Sequence, residues 1–417
     1  MDNKETLIVI GAGHAGVELV FAARQQGWAG AIVLLGEEPH VPYHRPPLSK
    51  AFLCGTADAD SLALRQSTAF ETNGIALRQG TRVCAIDRGA HQVLLQDGNA
   101  LTYTKLALCT GGRARALDVP GMEGAAPSNL FSLRSKSDAL AIAGSIREGS
   151  RVLIIGAGYV GLEVAASARK LGAVVTVLES QPRVLSRVTG AKISSFYEGV
   201  HREAGVDLRT SASVHAIERR ADGAVTAVLC SDGERLSADV VIVGIGMLAD
   251  TALAEAAGLR VEGGIVVDEH SVTSDPDIVA AGDCTVHNSV LYRRRVRLES
   301  VPNALEQARA AAGWLCGKPR PNHSVPWFWS DQYDLKLQMT GLSDGHEACV
   351  VRGSFVDRSF CAFYLREGRV IAVDAVNRPA DFMLAKKAVA ARVVVSAEAV
   401  ADPDRSLKDL LAATPSA

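Results

Sequence analysis

The hydrophobic positions of the chain follow two rhythms, one before residue 317 and another after it. TLIVIGAGHAGVELVFAARQQG (6–27) opens with an apolar run, turns through G-x-G-x-x-G and continues with helical spacing. AIVLL (31–35) reads as the next strand. The same order returns in SRVLIIGAGYVGLEVAASARKLG (150–172) and VVTVLES (174–180). Short continuous apolar runs alternating with helical patterns predict strands buried on both faces of a parallel sheet. Past GKPRPNHSVP (317–326), rich in proline and polar residues, the rhythm changes to alternation in FWSDQYDLKLQMTGLS, EACVVRGSF and SFCAFYLREGRVIAVDAVN. With turn signals at SDGH and REGR, this predicts an antiparallel sheet. PADFMLAKKAVAAR (379–392) reads as a closing amphipathic helix. No solenoid repeat is visible; the internal repetition is the pair of glycine-turn units.

Each glycine turn has a chemical reading. Gly11 permits a tight turn, Gly13 lets the backbone approach a pyrophosphate, and Gly16 lets helix and strand pack closely. His14 and Ala15 lie inside the same turn, where the positive end of the following helix faces the phosphates. Glu37, just past the second strand, can accept hydrogen bonds from an adenosine ribose. The second copy supplies Gly156, Gly158 and Gly161, with Tyr159 and Val160 between them and Glu179 closing the next strand. One such motif is weak, because glycine turns after strands are common. Two copies in strand–turn–helix–strand context, each followed by an acid, read as a protein that binds two dinucleotides. Glu179 would repel the 2′-phosphate of NADP and suits NADH. Arg183, four residues on, is the one basic group that could complicate that choice.

Composition narrows the class without adding chemistry. With 417 residues, 48% apolar and 22% charged, the chain is long enough for two or three ordinary globular domains. A net charge of −2 gives no global field that draws nucleic acid or membrane. No apolar run reaches bilayer length. The acidic start MDNKETLIVIGAG resembles neither a signal nor a transit peptide, so a cytoplasmic protein is expected. The eight cysteines include no C-x-x-C pair, which argues against a zinc site, an iron–sulfur cluster or a redox-active dithiol. The ten histidines lack paired ligand spacing, so no metal site is expected. His14 is expected to face solvent or a phosphate. Ser49 has no histidine or acid at triad spacing.

VPYHRPPLSK (41–50) crowds three prolines and two cations directly behind the first unit. YTKLALCTGG (103–112) resembles the strand end at which flavoprotein reductases leave their first FAD segment, with Cys109 where alanine is usual. TSDPDIVAAGDC (273–284) resembles their second FAD segment. With RLESVPNALEQA (297–308) and PWFWSDQY (326–333), the chain from about 6 to about 410 resembles the oxygenase-coupled NADH–ferredoxin reductases, on a glutathione-reductase-like scaffold. One departure is Ala249–Asp250 after GIGML, where the family commonly has Pro–Asn.

That resemblance implies roles. Arg45 would pair with FAD phosphate oxygens, and Pro46 with Pro47 would fix an extended path beside the isoalloxazine. Lys50 would project near the flavin, paired with Glu163, and tie the nucleotide domains together where hydride crosses. On residue type alone, both would read as solvated surface charges. Val83, Thr110, Gly111, Arg134 and Asp283 would complete the FAD contacts, and Val301 would open a helix aimed at the flavin pyrimidine. Gly244 and Glu299 would border the nicotinamide nucleotide. Trp327 and Trp329 are expected on opposite faces of their strand, Trp329 at the flavin edge and Trp327 in the core. Arg309, Lys386 and Lys408 match basic positions of the family's docking face for an acidic ferredoxin. The two lysines read equally well as solvated charges on their helices.

The fold expected is α/β: two Rossmann-like dinucleotide-binding domains plus an α+β C-terminal domain with an antiparallel sheet. The FAD domain would be 1–113 and 245–320, the NAD domain 114–244, and the C-terminal interface domain 321–417. The function expected is an NADH:ferredoxin oxidoreductase that passes electrons through FAD to a [2Fe–2S] ferredoxin serving a cytochrome P450. Its rivals are the reductase of a ring-hydroxylating dioxygenase, and a rubredoxin reductase or NADH oxidase. The oxidase reading would require a reactive cysteine, for which Cys54 is the candidate.

Overall fold

In the computed structural model, which describes residues 5–412, the chain forms two compact units. The first comprises the described residues up to 44 with 59–113 and 248–326; the second comprises 45–58, 114–247 and the residues from 327 onward.

The first unit is built on a parallel sheet in the order Ile278–Ala280, Lys105–Leu108, Thr6–Ile10, Ala31–Leu35, Ile75–Arg78. Successive side chains of a strand point to opposite faces, so the unbroken LIVI run feeds two cores. Leu7 and Val9 pack with Leu19 and Ala23 of helix His14–Gln26 and with Ala304, Ala308 and Ala311 of helix Val301–Leu315. Ile8 and Ile10 pack on the other side with Val93, Leu95 and Tyr103, beside the antiparallel strands Val83–Asp87, Gln92–Leu95 and Ala100–Thr102.

The second unit repeats the plan. Its parallel sheet runs Asp207–Arg209, Val174–Leu178, Arg151–Ile155, Val240–Val243, Leu130–Ser132. Leu153 and Ile155 face the antiparallel strands Val214–Arg219, Val225–Cys230 and Arg235–Ser237 through Ile217 and Val228. Val152 and Ile154 face Leu162 and Val164 of helix Tyr159–Lys170 and Ile193 and Tyr197 of helix Ala191–Glu203. That core continues into Leu335, Leu337, Phe360 and Val376 of a five-stranded antiparallel sheet, so the C-terminal strands do not bury a separate interior.

The C-terminal sheet runs Trp327–Gln332, Leu335–Gly341, Arg369–Val376, Ser359–Arg366, Ala348–Ser354, followed by helix Pro379–Ala391. REGR closes a two-residue hairpin with positive φ at Glu367 (51°) and Gly368 (68°), the geometry of a type I′ turn. SDGH instead lies on a connection between strands that are not neighbours. One buried acid fastens this sheet to the loop before helix Ala191–Glu203. Asp374 Oδ2 accepts hydrogen bonds from Thr189 Oγ1 and, at 2.7 Å, from the Tyr364 hydroxyl, while the Gly190 amide donates to Tyr364 at 2.9 Å.

Candidate functional site

The glycines of each turn divide into those the protein itself requires and one it does not. A Cβ on Gly11 (φ +105°) would lie 2.1 Å from the Cys109 carbonyl oxygen, and one on Gly16 would lie 1.9 Å from that of Gly11. Gly156 (φ +104°) and Gly161 are equally constrained, at 2.5 Å from Gly244 O and 2.1 Å from Gly156 O. Gly13 and Gly158 differ. Each has an ordinary extended conformation (φ −85° and −77°), and a Cβ there would meet nothing within 4 Å. The open space in front of these two backbones, at the positive end of a long helix, is a cradle fitted to a pyrophosphate. Both turns therefore fit a dinucleotide.

The acids and the arginine beside these turns sort themselves. Glu179 accepts from the amides of Ala157 and Gln181, both at 2.8 Å, which fixes its carboxylate against the second turn. Glu37 is exposed and pairs with Arg82 at 3.1 Å. Arg183 turns away from the nucleotide: its guanidinium donates to Thr189 O and Ser194 Oγ, both at 2.7 Å, and to Ser186 O at 2.8 Å. These loop acceptors take three of its five N–H donors, which argues against Arg183 as a cofactor contact. Val160 is exposed and Gly244 backs the turn, but the Tyr159 side chain faces the C-terminal sheet. Its ring lies 4.8 Å from Phe328 and its hydroxyl donates to Met339 Sδ, so only its backbone belongs to the cradle. His14 is buried beside His44, ring centroids 5.4 Å apart, which removes the solvent half of the expectation and leaves the phosphate half. As the first residue of helix His14–Gln26 it sits where backbone and side chain are both packed.

The FAD-segment residues lie in the first unit, apart from Arg45, Pro46, Lys50, Arg134 and Trp329. Thr110 Oγ1 donates to Asp250 O at 2.6 Å and the Asp250 amide to Gly111 O at 2.9 Å, so the return of the chain is made despite the Ala249–Asp250 departure. Val83 is buried in the small antiparallel sheet and Asp283 is half-buried. Cys109 and Cys284 are buried, and burial pushes both thiols up, Cys284 to about 11, which makes them inert. Val301 opens its helix with Ser300 as cap, its Oγ accepting from the Asn303 amide at 3.2 Å. Pro302 has no amide, so two of the first three amides are withdrawn from any ligand. Glu299 pairs with Arg297 at 2.6 Å. Arg309 pairs with Glu18 at 2.7 Å and Glu306 at 3.0 Å, which compensates its charge locally.

The segment 45–50 belongs to the second unit, and its backbone is not extended. Pro46–Ser49 form a 3-10 turn, closed by Leu48 N to Arg45 O and Lys50 N to Pro47 O, both 3.0 Å. Proline fixes only φ, and the value it imposes serves a helical first turn as well as an extended path. The turn brings Ser49 and Lys50 together onto Glu163. Lys50 Nζ lies 2.7 Å and Ser49 Oγ 2.6 Å from Glu163 Oε2, and Ser330 Oγ donates to Oε1 at 2.6 Å. Glu163 is 4% exposed, so the surface-charge reading of this pair is excluded. One helical turn on, Ser167 Oγ donates to Ser49 O at 2.7 Å and pins the segment to the same helix. Arg45 Nη1 donates to Arg134 O at 2.7 Å.

Trp327 and Trp329 share a face, with ring centroids 5.6 Å apart, and both are half-buried. The expectation of opposite faces, and of Trp327 as a core residue, is corrected: residues two apart on a strand point the same way. Phe328, Ser330 and Gln332 take the other face, toward Tyr159, Glu163 and His201. Lys386 Nζ lies 5.1 Å over the Trp327 ring, and Lys408 is exposed on helix Leu407–Ala412. Sequence reasoning missed Ser330, Gln332 and His201. Their signal was faint: polar residues at alternate positions of a strand that otherwise buries that face.

Two nucleotide cradles and a buried lysine–carboxylate pair define a pyridine-nucleotide flavoenzyme. The chain belongs to the pyridine nucleotide-disulphide oxidoreductase family, matched over residues 5–308, with a reductase C-terminal domain matched over 327–411. Membership brings FAD and NAD(H) as cofactors. The chain is 49% identical over 414 residues to putidaredoxin reductase of Pseudomonas putida, covering 99% of this chain and 98% of that protein. It is 42% identical over 407 residues to a 5,5′-dehydrodivanillate O-demethylase ferredoxin reductase subunit of a Sphingobium species, covering 97% and 98%. The crystal structure of a covalent putidaredoxin reductase–putidaredoxin complex matches with a TM-score of 0.95 at 49% identity, covering 98% of each chain.

Proposed function

We propose that the protein is an FAD-dependent NADH:ferredoxin oxidoreductase delivering electrons to a [2Fe–2S] ferredoxin that serves a cytochrome P450 monooxygenase. The observation that carries the reading is the ion pair of half-buried Lys50 with Glu163, buried on the helix that follows the second glycine turn. Bound FAD supplies the chemistry, taking a hydride from NADH and releasing electrons singly. The eight cysteines are free, with no adjacent pair to share that work.

The chain's own residues bind and orient. Gly11, Gly13, Gly16, Glu37, Arg45, Val83, Thr110, Asp283 and Val301 hold FAD. Gly156, Gly158, Gly161 and Glu179 hold NADH, and Glu179 excludes a 2′-phosphate by charge. Lys50, paired with Glu163 at 2.7 Å, places its ammonium at the hydride-transfer centre. Trp329 covers the flavin edge, and Lys386 and Lys408 meet an acidic ferredoxin. The division proposed is an FAD domain of 1–113 and 245–320, a NAD domain of 114–244 and an interface domain of 321–417. Among the described residues no helix is long and apolar enough to cross a membrane, and we assign the protein to the cytoplasm.

The test is acceptor choice by the holoenzyme with NADH. Faster turnover with a [2Fe–2S] ferredoxin than with rubredoxin or oxygen is expected. Turnover with oxygen or rubredoxin alone would overturn the partner assignment, and loss of oxygen turnover in Cys54→Ser with FAD retained would identify an oxidase.

A further inference from the structure

Behind Glu163, on the side away from Lys50, a line of side chains leads to the surface of the second unit. Ser330 Oγ donates to Glu163 Oε1 at 2.6 Å. Gln332 Nε2 donates to Ser330 Oγ at 3.2 Å, and Gln332 Oε1 lies 2.9 Å from His201 Nε2. The Tyr333 hydroxyl lies 3.1 Å from His201 Nδ1, and Tyr333 is 39% exposed. Ser330 and His201 are 0% and Gln332 1% exposed.

The chemistry of these groups fixes the direction of every link. Gln332 uses its amide nitrogen on Ser330, so it offers only its carbonyl to His201. The imidazole must then carry its proton on Nε2, which leaves Nδ1 to accept from Tyr333. Burial, only partly offset by the Gln332 hydrogen bond, pulls His201 down to about 4, so the neutral tautomer prevails near pH 7. Burial holds Tyr333 up at about 12, so it stays a phenol and a donor. Four bonds therefore point their hydrogens the same way, toward one carboxylate. Hydrogen bonds aligned in series polarise one another, most strongly where water is excluded.

We propose that Tyr333, His201, Gln332 and Ser330 form a polarised hydrogen-bond chain that orients the Glu163 carboxylate against Lys50, making Ser330 and His201 positioning residues for the hydride-transfer centre. The proposal rests on the reading of Lys50–Glu163 as that centre. Without the chain, Glu163 Oε1 would lose its buried donor, and the carboxylate that holds Lys50 would be free to turn. Lys50 would then be held less firmly and would meet acylating reagents more often.

The experiment uses the FAD-loaded holoenzyme at pH 7.5, with brief acetic anhydride labelling read by mass spectrometry. Lys50 is compared with exposed Lys387 as an internal reference. Ser330→Ala and His201→Phe are expected to raise relative Lys50 labelling at least threefold, and Ser330→Thr to restore it. Tyr333→Phe, at a partly exposed position that spares the fold, is expected to give a smaller rise in the same direction. Anaerobic bleaching by NADH should slow in the same order, and Ser330→Thr should restore it. Unchanged Lys50 labelling in Tyr333→Phe and in either folded buried variant would overturn the chain. Raised labelling with unchanged bleaching would leave the chain standing, but would overturn its placement at the hydride-transfer centre and the Lys50–Glu163 reading with it.

Discussion

Glu163 is the residue on which the second unit converges: one carboxylate, an ammonium and two hydroxyls, with almost no solvent. Removing one partner of a buried charge leaves the other uncompensated, at a cost of about 3 kcal/mol or more. Glu163→Gln is therefore expected to lower the Tm and to slow anaerobic bleaching by NADH at least tenfold, with FAD content kept. Bleaching at the wild-type rate in the loaded variant would remove Lys50–Glu163 from the chemistry. The pair was legible only through resemblance, because lysine and glutamate are by type surface residues. Ser330 and Gln332 left only a faint alternation along their strand, and their link to Glu163 and to His201 was not legible. Each joins Glu163 through tertiary packing that brings a strand and a second helix against the glycine-turn helix, and no spacing in the chain encodes that. The Trp327/Trp329 correction is of another kind, since strand period alone already places them together.

At the scale of elements, the two strand–turn–helix units were readable because each glycine answers a backbone requirement that sequence can express. The structure separates those requirements. Gly13→Ala and Gly158→Ala place a methyl in open space, so each should fold at a stability cost of about 1 kcal/mol or less from helix capping. The first is expected to lose FAD, and the second to keep FAD while its KM for NADH rises at least tenfold. Gly16→Ala and Gly161→Ala instead drive a Cβ into a carbonyl oxygen and should fail to fold. Measured FAD content and apo-protein Tm distinguish the two outcomes; equal behaviour of Gly13→Ala and Gly16→Ala would deny that Gly13 is reserved for a ligand. The proline segment was the element read wrongly. Proline sets φ but leaves ψ to context, so Pro46–Pro47 could not by itself choose between an extended path and the 3-10 turn that seats Ser49 and Lys50 on Glu163.

For the whole molecule, two buried groups of the second unit set opposing pH dependences. His44 and His287, also pulled down by burial, add to the histidine side, so comparison of single variants with the parent reads each one. His201, pulled by burial from 6.5 to about 4, binds fewer protons folded than unfolded. Its contribution is present above the unfolded value and is lost as pH falls from about 6.5 toward 4. Asp374, pushed by burial from 3.8 up to about 6, binds more protons folded. Its contribution is full at low pH and is lost as pH rises from about 3.8 through 6. Each amounts to on the order of 3 kcal/mol, so the two nearly cancel in that window. Denaturant unfolding between pH 4.5 and 6.5 should give the parent a slope between those of the two single variants. Asp374→Asn should gain stability with rising pH, and His201→Gln should lose it; parallel slopes in both would contradict the assignment. Asp374 carried a sequence signal, an acid set among apolar residues in VIAVDAVN, that strand alternation alone did not explain. The central claim is electron transfer from NADH through flavin to a [2Fe–2S] ferredoxin, and anaerobic single-turnover mixing tests it most directly. The account predicts fast bleaching by NADH, much slower bleaching by NADPH because of Glu179, and then reduction of two ferredoxins per flavin. Equal bleaching by NADPH, or reduced flavin that leaves ferredoxin oxidised, would contradict it.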